Sequence, residues 1–198
     1  MEHVTYYFSH YGYWAIFFVI LFEDFGLPVP GELTLVTGSI LAATGHFSLP
    51  LVLGLAFMGA VIGDNVGYLL GYYGGRRLII NYGRYVFITP QRFHKLEAFF
   101  LRYGDKIVTV ARFINGLRQC NGIIAGISRM RQTKFLMYNA IGAALWVGVW
   151  GGAAYILGRR TKSIAVALAH LELLFLSVAG FLLIGWGIER LIKKHFKM

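Results

Sequence analysis

The chain has 198 residues, of which 57% are hydrophobic and 14% charged, and its formal net charge is +10. A soluble domain is nearer half apolar and about a quarter charged, so this composition excludes an ordinary soluble protein and indicates one polytopic membrane domain over residues 1–198. Every lysine and arginine falls from Arg76 onward, mostly in polar joints between apolar segments, which favours anionic lipid headgroups as partners and argues against nucleic acid.

The first predicted element is a broken hairpin over residues 12–44. Its two apolar arms, residues 12–22 and 33–44, are each shorter than the about 20 residues that a full span needs. Pro28 and Pro30 stand between them, and because proline donates no backbone hydrogen bond, the chain must unwind there. We expect a re-entrant hairpin, and the alternative is one or two ordinary tilted spans.

The break in this hairpin is acidic, with Glu23, Asp24 and Glu32 beside the prolines. An ionisable group at membrane depth is costly and marks a functional site by default. A carboxylate moved from water into a low-dielectric site favours its neutral form, so a buried glutamate here could take up and release a proton. We expect proton coupling at Glu23 and Glu32, with Asp24 in support, and the alternative is that all three are solvated at the mouth of the hairpin.

Residues 51–73 form the next predicted element, a full span with Asp64 and Asn65 inside it. Asp64 is a third candidate for proton coupling with Asn65 in support, and a packed, hydrogen-bonded role is the alternative. Glycines recur every four residues along this span and give a face that another backbone can approach closely: Gly59, Gly63, Gly67, Gly71 and Gly75. We expect a helix-packing seam, which is also compatible with a homodimer.

The second half of the chain repeats this order. After a basic stretch at residues 76–106, predicted to be amphipathic and to lie on the cytoplasmic surface, two short apolar segments form a second predicted hairpin over 107–128. Residues 135–158 and 164–188 are each long enough to span the membrane. The predicted fold is therefore all-α and integral to the membrane. It has two inverted repeats, each a re-entrant hairpin plus a span, and an additional C-terminal span.

The break in the second hairpin is basic, with Arg112 and Arg118 near its centre. Arginine stays charged and presents a planar fork that matches phosphate or carboxylate. The six-residue spacing puts the two on different faces of an ideal helix, so a break near Asn115, repeated at Asn121, could let both point inward. We expect them to bind a lipid phosphate, and the alternative is an internal salt bridge to the acids of the first hairpin.

Motifs of known enzyme chemistry are missing from the sequence. There is no HExxH, no P-loop, no GxSxG and no cluster of cysteine and histidine, and Cys120 is the single cysteine. We therefore expect no enzyme activity, no cofactor and no metal site.

Three linked motifs resemble the DedA family, also called the SNARE-associated or VTT-domain family of membrane proteins. They are FEDFGLPVPGE at Phe22–Glu32, GDNVGYLLG at Gly63–Gly71, and the stretch from ARFINGLR to AGISRM at Ala111–Met130. The chain departs from the family pattern at Asn115 and Ile124, where the family commonly has proline. Because Asn-Gly can also break a helix, we expect the second hairpin to survive these departures.

The resemblance implies lipid translocation in the bacterial cytoplasmic (inner) membrane. The acidic positions that function in the family correspond to Glu23 and Glu32, and its functional arginines to Arg112 and Arg118. We expect proton-coupled translocation of a phosphate-bearing lipid such as undecaprenyl phosphate, with the lipid headgroup and protons as partners. The alternatives are a phosphatidylethanolamine or phospholipid flippase or scramblase, a proton or cation antiporter, and a non-transporting membrane scaffold.

Overall fold

The computed structural model describes the backbone of residues 2–82, 105–114 and 117–161. It describes the side chains of residues 11–74, 105–114 and 117–160. Asn115 and the predicted span 164–188 lie outside these residues, as does most of the predicted surface segment at 76–106. Within the described ranges every regular element is a helix.

Six α-helices follow one another in the described chain. They are α1 (Glu2–Asp24), α2 (Gly31–Ala43), α3 (Leu49–Tyr82), α4 (Ile107–Ala111), α5 (Asn121–Ile127) and α6 (Gln132–Thr161), with one 3-10 turn at Arg118–Cys120 before α5. Two helices followed by a longer one thus occur twice, although α1 is a continuous helix of 23 residues and not the short arm that was predicted. That the two hairpins are re-entrant and related by inversion stays a prediction.

Two of these helices are long and apolar enough to cross a membrane, over Leu49–Gly74 and Gln132–Arg160. These stretches agree with the predicted spans at residues 51–73 and 135–158. The bounds of the helices differ from the prediction, because α1 begins at Glu2 rather than near residue 12 and α3 continues to Tyr82, into the polar joint. Hydrophobicity alone marks the apolar part of a helix and misses its polar ends.

The acidic break between α1 and α2 is a capped helix end followed by an extended turn. Gly26 has φ +108°, a conformation that side chains disfavour. Its N–H donates to the carbonyl of Glu23 at 3.0 Å, and the N–H of Leu27 donates to the carbonyl of Phe22 at 2.9 Å. These two bonds form a Schellman motif that ends α1, and α2 then begins at Gly31, directly after Pro30. The predicted unwinding between Glu23 and Glu32 is confirmed.

The glycine face of α3 is a packing seam filled by helices of the same chain. A Cβ on Gly63 would overlap the carbonyl oxygen of Leu21 in α1, and one on Gly71 would overlap the carbonyl of Ile123 in α5. Helix α5 contributes glycines of its own to the contact with α3: Gly122 and Gly126. The predicted seam is confirmed along this part of α3, which is covered and does not provide a surface for the homodimer that the sequence allowed.

We expect Gly71→Ala to destabilise the protein by about 1–3 kcal/mol, the usual cost of overpacking a close contact. Gly54, on the same helix, is the matched control because no atom lies within 4 Å of the position of its Cβ. There alanine should stabilise α3 by up to about 1 kcal/mol through helix propensity. Thermal unfolding of the purified variants measures both effects, and equal melting temperatures for the two alanine variants would contradict the seam.

Two apolar clusters lie on either side of a polar level in the helix bundle. Along α3, Ala60 belongs to one cluster and Tyr68 to the other, with buried Asp64 between them. Along α6 the order is reversed: Phe135 belongs to the cluster of Tyr68, buried Asn139 follows, and Ala143 belongs to the cluster of Ala60. The long helices therefore place polar side chains at one level, between two apolar cores, where the breaks of both hairpins arrive.

Candidate functional site

Arg112 is the centre of a fully buried polar network. It follows the last residue of α4, and its Nη1 donates to Asp24 Oδ2 at 3.1 Å. Its Nη2 donates to Asp64 Oδ2 at 2.5 Å, to Asn139 Oδ1 at 2.7 Å and to the carbonyl oxygen of Ala60 at 3.2 Å. The side chains of the arginine and both aspartates are at most 1% exposed. One guanidinium thus joins the end of α1, the middle of α3, the end of α4 and α6.

The surroundings of Arg112 favour a structural junction over a ligand site. A charge buried away from water must be paired and hydrogen-bonded, because an unpaired one is very costly. Here fixed acceptors from three other helices already occupy both terminal nitrogens. A phosphate could reach this guanidinium only if Asp24 or Asp64 left it. The sequence placed Arg112 with Arg118 as phosphate ligands and gave Asp24 a supporting role, whereas the structure places Asp24 in direct contact with Arg112.

Arg118 forms a second, more open charged site. It is the first residue of the 3-10 turn, and its Nη2 donates to Glu23 Oε1. Its Nη1 lies 3.9 Å from Oε2 of Glu32, which is an ion pair beyond hydrogen-bond distance. The side chain of Glu32 is 30% exposed, while those of Arg118 and Glu23 are nearly buried. Arg118 therefore has one buried, hydrogen-bonded partner, Glu23, and one more distant, partly exposed partner, Glu32.

Glu23 is held between this arginine and the start of α2. A Cβ on Gly31 would overlap the Glu23 carboxylate, so a larger residue in the first turn of α2 would displace that carboxylate. The positive end of the α2 dipole lies there and stabilises a carboxylate. Glu23 and Asp24 are neighbours in sequence, yet they contact different arginines, Arg118 and Arg112. The last turn of α1 therefore links the open site to the buried junction.

Trp146 of α6 supports the guanidinium of Arg118. The guanidinium carbon lies 4.8 Å from the ring centroid, within the range of a cation–π contact. Trp146 is 1% exposed and belongs to the apolar cluster around Leu35 and Val52. A cationic side chain at this depth thus rests on an aromatic face and pairs with a glutamate on another side.

Sequence reasoning missed two residues of the site, Asn139 and Trp146. A lone asparagine within the predicted span 135–158 carried a signal, because polar groups at membrane depth are costly and usually have a partner. Trp146 carried no such signal, because a tryptophan among apolar residues does not stand out from the other residues of a predicted span. Both contacts depend on how α6 is rotated against the hairpins, which the one-dimensional pattern does not specify.

Asn65 and Asn121, two further residues that the sequence predicted in supporting roles, donate to backbone carbonyls. Asn65 donates to the carbonyl of Val61 on its own helix at 2.7 Å. Asn121 is buried and donates to the carbonyl of Val108 at 3.0 Å, which ties α5 to α4 across the basic break. Asn121 therefore supports the shape of the second hairpin. Within the described residues, no group of three or more histidine, cysteine, aspartate or glutamate side chains could hold a metal ion.

The charges of the two sites are unequal in number. Two guanidiniums, Arg112 and Arg118, face four carboxylates among the described residues: Glu23, Asp24, Glu32 and Asp64. The carboxylates exceed the arginines by two, so the sites contain acidic groups that can bind protons without leaving an excess of positive charge. Of these groups, Glu32 is the one with substantial exposure.

Comparison with known proteins gives one consistent result. The family profile described as VTT domain matches residues 29–159, which include the site residues other than Glu23 and Asp24. An uncharacterized membrane protein of Synechocystis, slr0232, is 40% identical over 149 residues, covering 75% of this chain and 68% of that protein. Protein DedA of Escherichia coli K12 is 33% identical over 158 residues, covering 76% and 72%. The uncharacterized membrane protein YbfM of Bacillus subtilis is 30% identical over 158 residues, covering 80% and 98%. No solved structure matches the chain.

Proposed function

We propose that this chain, which belongs to the DedA (VTT-domain) family of membrane proteins, translocates a phosphate-bearing lipid across the bacterial cytoplasmic membrane. The lipid moves in exchange for protons or together with them. Undecaprenyl phosphate is the substrate we favour. The observation that carries the proposal is the Arg118 site, in which a nearly buried guanidinium has one tight carboxylate partner and one loose, partly exposed one. A guanidinium presents the fork that phosphate binds best.

In the proposed cycle, a lipid phosphate and the Glu23 carboxylate compete for Arg118. While Glu23 is ionised, it accepts a hydrogen bond from Nη2 of the arginine. A proton bound on Glu23 neutralises its carboxylate. The N–H groups of Arg118 that Glu23 then releases donate hydrogen bonds to the phosphate oxygens. Glu32, at the exposed side of the same arginine, provides the first carboxylate that a proton entering from outside would meet. Arg112 stays paired and holds the two hairpins together while Arg118 changes partner.

Purified protein in proteoliposomes tests the proposal directly. Undecaprenyl phosphate and phosphatidylethanolamine are compared, each with and without an imposed proton gradient. We expect the phosphate lipid to move faster, and its movement to depend on the gradient. Mixing of both lipids without regard to the gradient would replace the coupled carrier with a scramblase. A folded protein that moves neither lipid would leave the membrane scaffold as the better hypothesis.

A further inference from the structure

A groove runs along one side of the hairpin formed by α1 and α2. Residues of both helices and of the turn that follows α2 line it: Gly12, Ile16, Thr34, Thr37, Leu41 and Phe47. Its volume is about 300 Å³, at the lower end of the about 300–1,000 Å³ that ligand cavities occupy. None of the acidic or basic residues of the site described above lines this groove.

The groove is apolar, and glycines in its wall pack closely against larger side chains. A Cβ on Gly12 would lie 2.5 Å from Cζ of Phe47, and one on Gly38 would lie 2.8 Å from Cδ1 of Ile16. The hydroxyl of Thr34 donates to the carbonyl oxygen of Pro30 at 2.9 Å, which leaves its methyl group for apolar contact. The walls thus offer van der Waals contact to a slender apolar group and no charge.

The groove opens on a surface that faces hydrocarbon in a membrane protein. Leu33, which also lines the groove, is 53% exposed, and α1 exposes aromatic side chains: Trp14, Phe18 and Phe22. In the core of a bilayer the surrounding molecules are lipid chains, and backbone at that depth must be covered by protein or line a polar cavity. A hydrocarbon chain is therefore the occupant that suits both the apolar walls of the groove and the lipid around it.

The groove and the Glu23 partner of Arg118 lie along the same two helices, α1 and α2. On α2, Thr34 lies one turn beyond Gly31, against which the Glu23 carboxylate rests. On α1, Ile16 and Glu23 lie about two turns apart and therefore on the same face. From Thr34 to Leu41 the groove follows α2 for about 10 Å, at about 1.5 Å per residue. The groove therefore begins about one turn of α2 from Gly31, the residue that contacts the Glu23 partner of Arg118.

We propose that this groove binds a single hydrocarbon chain of the transported lipid while the phosphate of that lipid is at Arg118. The inference rests on the proposed function and deepens it, because it assigns the apolar chain of that lipid a binding site of its own. The volume of the groove, about 300 Å³, lies at the lower end of the range of ligand cavities, so it has room for one chain. A lipid with two chains would leave the second in the bilayer.

Photolabelling tests the inference. The probe is dodecyl phosphate with a diazirine at the chain end, added to proteoliposomes of phosphatidylcholine, with the corresponding dodecanol as the uncharged control. Mass spectrometry maps the adducts. In the wild type we expect a several-fold excess of adducts on the groove residues over the lipid-facing side of α6, and a smaller excess with the alcohol. Thr37→Trp and Thr34→Trp fill the groove and should each remove the excess, whereas Val149→Trp, at a position 54% exposed on α6, should leave it unchanged.

Each outcome separates the groove from the proposed function. Even labelling of all lipid-facing helices, or an excess that persists in both groove variants, would overturn the groove. Equal excess with the phosphate and the alcohol would overturn its link to Arg118. The same proteoliposomes report translocation, so gradient-dependent movement of undecaprenyl phosphate in a protein without groove labelling would leave the proposed function standing. Absence of that movement in the folded wild type would remove the function itself.

Discussion

Replacing Arg112 with glutamine is expected to destabilise the protein by about 3–5 kcal/mol, the usual cost of removing one partner from a buried ion pair. The substitution leaves Asp24 and Asp64 facing each other at no more than 1% exposure, with no counter-charge. Since the aspartates belong to α1 and α3, their repulsion acts on the contact that holds the first hairpin to the long helix. Unfolding of the purified variant by heat or denaturant, followed by circular dichroism, measures the loss.

The rescue variant distinguishes charge from packing at this junction. In the Arg112→Gln background, Asp24→Asn and Asp64→Asn remove the uncompensated charges, and replacing a buried ionic cluster with neutral groups is often close to neutral. We expect the triple variant to recover most of the lost stability. A single Arg112→Gln variant that unfolds within about 1 kcal/mol of the wild type would contradict the junction, because such a cost is typical of an exposed pair.

Replacing Arg118 with glutamine is expected to leave the protein folded and to weaken binding of the phosphate lipid by about thirtyfold or more. Losing a buried, hydrogen-bonded charge partner costs about 2–5 kcal/mol, and each 1.4 kcal/mol is about tenfold in affinity. Glu23 remains near the first turn of α2, whose dipole offsets part of its charge. Binding of undecaprenyl phosphate in nanodiscs measures the effect.

Two further variants make the Arg118 experiment specific. Arg131→Gln removes an exposed arginine outside the site, and we expect it to bind like the wild type. Arg118→Lys keeps the charge and loses the planar fork, so it should bind with intermediate affinity. Equal binding by Arg118→Gln and Arg131→Gln would show that the net positive charge of the surface, and not this guanidinium, attracts the phosphate lipid.

The break of the first hairpin could be predicted from the sequence, and the pairing of its charges could not. Pro28 and Pro30 forbid a continuous helix by their own covalent structure, so the end of α1 and the start of α2 follow locally. Whether Arg118 meets Glu23 or Asp24 depends on the rotation of α1 against the second hairpin, since neighbouring residues on a helix point about 100° apart.

The long helices show the same division between local and tertiary information. The apolar stretch of α3 and its glycine face were predictable because hydrophobicity and the four-residue spacing are properties of one segment. That α1 covers Gly63 while α5 covers Gly71 is a property of the assembled helices. The sequence therefore predicted a seam and left open whether a second copy of the chain or the chain's own helices would fill it.

The central claim is that a proton on Glu23 releases Arg118 for the lipid phosphate. The most direct measurement is the affinity for undecaprenyl phosphate as a function of pH, in the wild type and in Glu23→Gln. We predict that wild-type affinity rises relative to the variant as the pH falls, because protonation removes the competing carboxylate, while Glu23→Gln binds tightly throughout. Titration of the phosphate itself, near pH 6 for a monoester, affects both proteins equally and cancels in the comparison. Parallel curves for the two proteins would contradict the claim.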